Sequence, residues 1–394
     1  MAQLLAGLAE GHRLGVICLR DLGQLGIDEG LRDRCEIVEE VPWVDGPRSL
    51  PRRLRHRLGV LGARLGGLPA WPAHFPTRAF EERVRRVLQD WSPDIVQLEF
   101  TVMGHFLAAL EGYSAPVVLS YHMPGEDASS SGGPGEPWWL RADRYVDRLA
   151  WRRFDARVLR RVDAIVAFSE RDRNQLSRMS GLGLVRQAQA TLPVPPTPLS
   201  PLGEPPLRIV FVGHFAHPPN VHAAERLVAR VLPLVRRRYP EVSVQLVGAG
   251  PPPRLRALAG PAVQVTGRVS SVASYLNAAA LVVAPLVSGS GVRIKVLEAL
   301  AAGKAVVASG LAVQGIPVSH GDQVILAESD EEFAQAIIGL LAAPEERAAL
   351  AARAYSWARR TFRRDTLAAT YESLYEELLN SDRALLPQPA SSVP

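Results

Sequence analysis

Short apolar runs alternate with helix-patterned stretches from one end of this chain to the other, and that alternation confines it to parallel sheets built from βαβ units. Strands are expected at 13–19, 35–41, 94–98, 117–121 and 164–168, and again at 207–213, 242–248, 263–266, 281–286, 305–308 and 324–327. Helical patterns lie between them, the clearest at 77–91, 138–160, 221–238 and 331–341. The two sets are separated by LPVPPTPLSPLGEPP at 192–206. Its prolines remove N–H donors and fix φ, so it reads as a linker and not as a helix or central strand. At 394 residues the chain exceeds one ordinary core. The expectation is two α/β domains, 1–191 and 207–361, with a helix at 362–380 that could return to the first. The Pro- and Ser-containing tail, 381–394, is expected to be disordered.

Composition narrows the class. Apolar residues make up 47% and charged residues 22%, which excludes a disordered chain. No apolar run reaches the length of about 18 that a membrane-spanning helix needs, and the opening MAQLLAGLAEGHR lacks the features of a secretory signal. Cys18 and Cys35 have no metal-ligand spacing, and a reduced cytoplasmic compartment is the simplest expectation. The net charge of +5 favours anionic partners. No nucleic-acid module or aromatic stacking pattern accompanies it, so nucleic acid is not an expected partner. Residues 46–80 contain no carboxylate and place Leu54, Leu58, Leu61 and Leu65 at helical spacing. Their arginines could hold an anionic membrane surface, giving peripheral contact with the inner membrane, or could pack on their own sheet.

The chemistry concentrates in SGSGVRIKVLEALAAGKAVVAS at 288–309. A turn containing Gly289, Ser290 and Gly291 follows an apolar strand and opens a helix bearing Arg293, Lys295 and Glu298. Glycines allow close backbone approach, and a helix start offers unpaired N–H groups at the positive end of its dipole. Two cations there suit a diphosphate, and a carboxylate a turn later suits a pair of sugar hydroxyls. The same spacing also allows a plain surface pair between Lys295 and Glu298. Lys295 and Lys304 are the only lysines in the chain. Lys304 precedes a strand, where a solvated loop lysine would serve equally well. Gly213 either admits a ligand or simply ends a strand, and Asn220 is placed as the cap of a helix beginning at Val221. His122 ends one predicted strand and Glu99 its neighbour; an imidazole there could orient a substrate, move a proton, or be a satisfied polar residue. His214, His217 and His222 cluster, but intervening prolines and missing carboxylates argue against a metal site.

In its second half the chain resembles the retaining GT-B glycosyltransferases of the group 1 or family 4 type. The resemblance is carried by IVFVG at 209–213, PNVHAAERL at 219–227, QLVGAGP at 245–251, VTGRV at 265–269 and GSGVRIKVLEALAAGKAVV at 289–307. PDIVQLEF at 93–100, VVLSYHMPG at 117–125 and VDAIVAFSERDRNQL at 162–176 resemble the acceptor domain more loosely. The resemblance implies two Rossmann-like domains facing an interdomain cleft, a nucleotide-diphosphate sugar as donor, and a glycan, lipid-linked or small-molecule acceptor. It also implies transfer with retention, no cofactor and no metal, as in bacterial polysaccharide biosynthesis. It places Glu298 at the ribose hydroxyls, Arg293 and Lys295 at the diphosphate, the turn after Gly267 at the base, and His122 and Glu99 near the transferred sugar.

Three positions depart from the family pattern. Ser290 stands where a second glutamate is usual, LPVPPTP replaces the usual Asn-Gly-Val-Asp stretch before the linker, and the chain opens at 2–10 in what resembles the helix after the family's first strand. The first domain is thus expected to lack a central strand, leaving its neighbours unpaired. Two further readings stay open: a non-catalytic GT-B protein that binds nucleotide or glycan, and a nucleotide-sugar 2-epimerase.

Overall fold

The computed structural model describes residues 2–21, 26–43, 62–75, 77–122, 137–189, 191–289, 292–362 and 364–385. The chain divides into two compact units, Met1–Gln189 with Arg364–Pro394, and Ala190–Arg363. Both are α/β with parallel sheets. Much of the arginine-rich stretch, 44–61, lies outside the described residues. No described helix is long and apolar enough to cross a membrane.

In the first unit, β1 (Gly15–Asp21) and β2 (Ile37–Trp43) pair with each other, while β3 (Val96–Glu99), β4 (Val117–Tyr121), β5 (Ala164–Ala167) and β6 (Val185–Gln187) form a second sheet in that order. The described residues therefore pair as two sheets, in keeping with the expectation that neighbouring strands of the first domain are left unpaired. The short strand β6 was not expected; three residues are too few for a period-2 pattern to register. Alternation along β4 and β5 divides their side chains between two packed layers. Leu119, Tyr121, Ile165 and Ala167 pack with Trp151, Phe154 and Val158 of helix α3 (Trp138–Leu159). Val118, Ala164 and Val166 pack with Leu4 and Leu8 of α1 (Ala2–Leu8) and with Tyr371 and Leu374 of the C-terminal helix, Arg364–Leu385. That helix runs past the expected end at 380, because no glycine or proline precedes Pro387 to stop it. Helix α2 (Thr77–Trp91) lies beside β1 and β2, with Phe80 buried against Val41 and Phe106.

The second unit is one six-stranded parallel sheet in the order β12-β11-β10-β7-β8-β9. Its strands are β7 (Arg208–Val212), β8 (Ser243–Val247), β9 (Val263–Gly267), β10 (Leu281–Ala284), β11 (Val306–Ala308) and β12 (Ile325–Leu326). β7, β10 and β11 read as unbroken apolar runs because helices cover both faces, and Ile209, Val283 and Val306 are wholly buried. Residues 192–206 run along this unit. Leu199 and Glu204 donate backbone bonds to the carbonyls of Ala302 and Ala278, and Tyr355 donates its hydroxyl to those of Pro195 and Pro196.

Lys304 corrects its reading as a solvated loop lysine. It is fully buried, and its Nζ donates to the carbonyls of Ser200 and, at 2.6 Å, Ala279. Burial, reinforced by Arg347, lowers its pKa to about 8.

At the carboxyl rim Gly213 donates its N–H to Val247, and Gly248 adopts φ +143°. A Cβ at Gly248 would lie 1.9 Å from the Gly213 carbonyl oxygen. Gly248→Ala should therefore lower unfolding stability by about 3 kcal/mol, the scale of a strained backbone combined with a clash. A urea-denaturation midpoint equal to wild type would refute this account of the rim.

Candidate active site

The strand order of the second unit itself picks out a location. From β7 the chain adds β8 and β9 on one side, then returns to place β10, β11 and β12 on the other. The loops leaving β7 and β10 therefore turn in opposite directions, opening a crevice beyond their carboxyl ends. Both loops carry the chemistry singled out in the sequence. After β7 come His214, His217 and Asn220, the last inside helix α5 (Pro218–Arg226); after β10 come Gly289 and Arg293, then helix α6 (Ile294–Ala301) with Lys295 and Glu298.

The structure joins the two loops. Lys295 Nζ donates to Asn220 Oδ1 and lies 5.1 Å from the Phe211 ring centroid, while Asn220 Nδ2 donates to the His214 carbonyl at 2.8 Å. Asn220 therefore does not cap the helix as expected. The prolines at 218 and 219 start α5 earlier, and His217 takes the cap position. Gly289, at φ +111°, packs so that a Cβ would lie 3.5 Å from Arg293 Nη2 and 3.4 Å from Pro219. No side chain caps α6, and Arg293 itself stands at its cap position.

Burial governs the electrostatics of these side chains. Burial lowers the Lys295 pKa to about 7, aided by Arg293 and opposed by Glu298. Burial also lowers His217, with His214 and Lys295 adding to the effect, and their two rings are 5.0 Å apart. Desolvation raises the Glu298 carboxyl although Lys295 pulls it down; the side chain stays at the protein surface one turn along α6. Among the described residues no group of three or more His, Cys, Asp or Glu side chains could hold a metal.

Gly213, Gly289, Arg293, Lys295 and Glu298 thus gather around the β7 and β10 loops. Gly267 ends the outer strand β9, at φ +73° with open space where a side chain would be. It is tied into the rim, since Thr266 Oγ1 donates to its carbonyl and accepts from the Gly248 N–H. Ser290 and Gly291 lie outside the described residues. Asn220 and His217 were legible only as a cap and as part of an unconvincing metal cluster, because their partner Lys295 lies 75 positions away from Asn220.

In the first unit Glu99 and His122 do meet. They close neighbouring strands β3 and β4, and Glu99 Oε2 lies 2.7 Å from His122 Nε2. The imidazole is stacked between Phe100, 4.1 Å away, and Phe168, 4.7 Å away. Phe100 holds φ 69° and ψ 140°, a region few side chains adopt. Strain of that kind persists where surrounding contacts over-determine it, often at functional sites. No sequence pattern signals it, because phenylalanine is a poor marker for positive φ.

Solved structures share this architecture. Sucrose-phosphate synthase from Thermosynechococcus elongatus aligns with a TM-score of 0.66 and 16% identity, over 96% of this chain and 92% of that one. Anabaena Alr3699/HepE in complex with UDP and glucose aligns with a TM-score of 0.60 and 14% identity, over 98% and 96%. At these identities the likeness bears on fold alone. The phosphatidyl-myo-inositol mannosyltransferase of Mycolicibacterium smegmatis is 31% identical over 162 residues, which is 38% of this chain and 41% of that protein. The chain thus spans about two fifths of that relative's length. The sequence profile of a glycosyl transferase 4-like domain matches residues 1–197, half of the chain, and that of glycosyl transferases group 1 matches 206–343. The chain belongs to the group 1, family 4 glycosyltransferases.

Proposed function

We propose that this enzyme moves a sugar from a nucleoside-diphosphate donor to a hydroxyl of a glycan or lipid-linked acceptor, with retention and without a metal ion. The observation that carries the reading is the gathering of Arg293, Lys295 and Glu298 on one short stretch at the β7–β10 switch. As the bond between sugar and diphosphate breaks, negative charge grows on the departing phosphate oxygen. Arg293 and Lys295 stabilise it, which is work a divalent cation does in other sites. Glu298 accepts hydrogen bonds from the ribose hydroxyls, and the glycine rim leaves backbone groups open to the base. The departing phosphate oxygen can itself receive the acceptor's proton on the face it leaves, so retention needs no enzyme nucleophile. His122, backed by Glu99, orients the transferring sugar. That HepE was crystallised with UDP and glucose supports a donor of this class.

Incubation with a panel of nucleotide sugars should release free nucleotide when a suitable acceptor is present. Tight binding without release would reassign the chain to ligand binding alone. Glu298→Ala should raise the dissociation constant for the donor about 10- to 100-fold, the loss of hydrogen bonds to a charged acceptor. An unchanged constant in calorimetric titration would remove Glu298 from the site.

A pH dependence follows from Lys295. With its pKa lowered to about 7, the free side chain is charged below that pH and neutral above it. A bound diphosphate favours the ammonium form, so binding takes up a proton above about pH 7. Affinity should be flat below pH 7 and fall by up to tenfold per unit above it, until the pKa of the complex is reached. Lys295→Met should flatten the profile, and a wild-type profile level from pH 6 to 8.5 would contradict the assignment.

A further inference from the structure

The Glu99–His122 pair has a second layer behind it, contributed by the far end of the chain. Glu99 Oε1 accepts from Ser120 Oγ at 2.8 Å and from Gln97 Nε2. Ser120 Oγ lies 2.8 Å from the Tyr371 hydroxyl, and Gln97 Oε1 accepts from the Tyr375 hydroxyl. Tyr371 and Tyr375 are one turn apart on the C-terminal helix, so both point from one face toward β3 and β4. Ser120 and Tyr371 are wholly buried, so their partners cannot be exchanged for water.

The direction of these bonds is determined. Burial, then the charge of Glu99, holds both tyrosine hydroxyls well above the ordinary phenol range, so each keeps its proton. Ser120 gives its only hydrogen to Glu99 and must therefore accept from Tyr371. Gln97 gives an amide hydrogen to Glu99 and accepts from Tyr375. Every donor runs toward the carboxylate, which ends both chains as the acceptor. Its remaining oxygen can only accept from His122, so the neutral ring carries its hydrogen on Nε2 and offers Nδ1 as the acceptor nitrogen.

We propose that Tyr371 and Tyr375 are positioning residues for His122, setting its ring tautomer and orientation through Ser120, Gln97 and Glu99. The inference rests on the role given to His122 above. It differs from simple docking of the helix, which would use the same tyrosines for adhesion alone.

Histidine-labelled protein separates the two in long-range proton–nitrogen spectra, with the His122 signal identified by its loss in His122→Gln. Wild type should show the Nε2–H form. In Tyr371→Phe combined with Tyr375→Phe, which removes the two hydroxyls and keeps both rings, the ratio of Nε2–H to Nδ1–H forms should fall about fivefold, as expected for lost hydrogen bonds. Turnover should drop about tenfold in kcat with the donor KM within about twofold. Ser120→Ala, which leaves the helix untouched, should shift the ratio in the same direction and serves if the double variant does not fold. An unchanged ratio in these variants, with only the melting temperature lowered, overturns the proposal. The ratio is read without substrate, so its failure is distinct from that of the transferase reading, which would show as absent nucleotide release from wild type.

Discussion

The pairing of β7 with β10 is the contact on which the second unit depends. Only Leu281 with Ile209 and Val282 with Val210 are in register, yet this short ladder joins two halves of a sheet that grow in opposite directions. Two loops must then part at the carboxyl rim, and Asn220 and Lys295, on the helices they enter, meet there. The apolar strands beneath are buried on both faces, so the rim is carried by a rigid base and not by its own loops.

Much of this was legible because it rests on local pattern. Continuous apolar runs identified β7, β10 and β11, and a glycine turn ahead of two cations and a carboxylate marked the loop that the structure brings against Asn220. What stayed hidden depends on residues distant in sequence. Lys304 looked like a loop lysine because nothing nearby shows that the Ser200 and Ala279 carbonyls would enclose it. Asn220 looked like a cap because its tie to Lys295 exists only after β7 and β10 pair. Gly248 was visible only as part of QLVGAGP, and its constraint is the Gly213 carbonyl beside the neighbouring strand. Tyr371 and Tyr375 read as ordinary aromatic positions of an amphipathic helix until the polar groups of β3 and β4 lie opposite them.

The two lysines illustrate a division of labour among cations. Arginine keeps its charge under all ordinary conditions and serves surface pairs such as Arg13–Glu36 and Arg254–Glu225. Lysine can release its proton when desolvated. This chain places its two lysines where solvent is largely excluded, one beside the candidate donor site and one under the proline-rich segment. Lysine charge, which responds to its surroundings, is thereby kept in the second unit, while the arginine charge is fixed.

The bond from Ser120 to Tyr371 joins residues 251 positions apart. The second unit, Ala190–Arg363, is in effect an insertion within the first. During synthesis β3, β4 and the imidazole emerge early, but the tyrosine hydroxyls that donate to Ser120 and Gln97 arrive only after the inserted unit has left the ribosome. Closing so long a loop costs entropy that no local contact offsets, so this should be among the last parts of the molecule to order. A nascent or prematurely ended chain would then hold a folded second unit while the first still lacked the helix that carries Tyr371 and Tyr375.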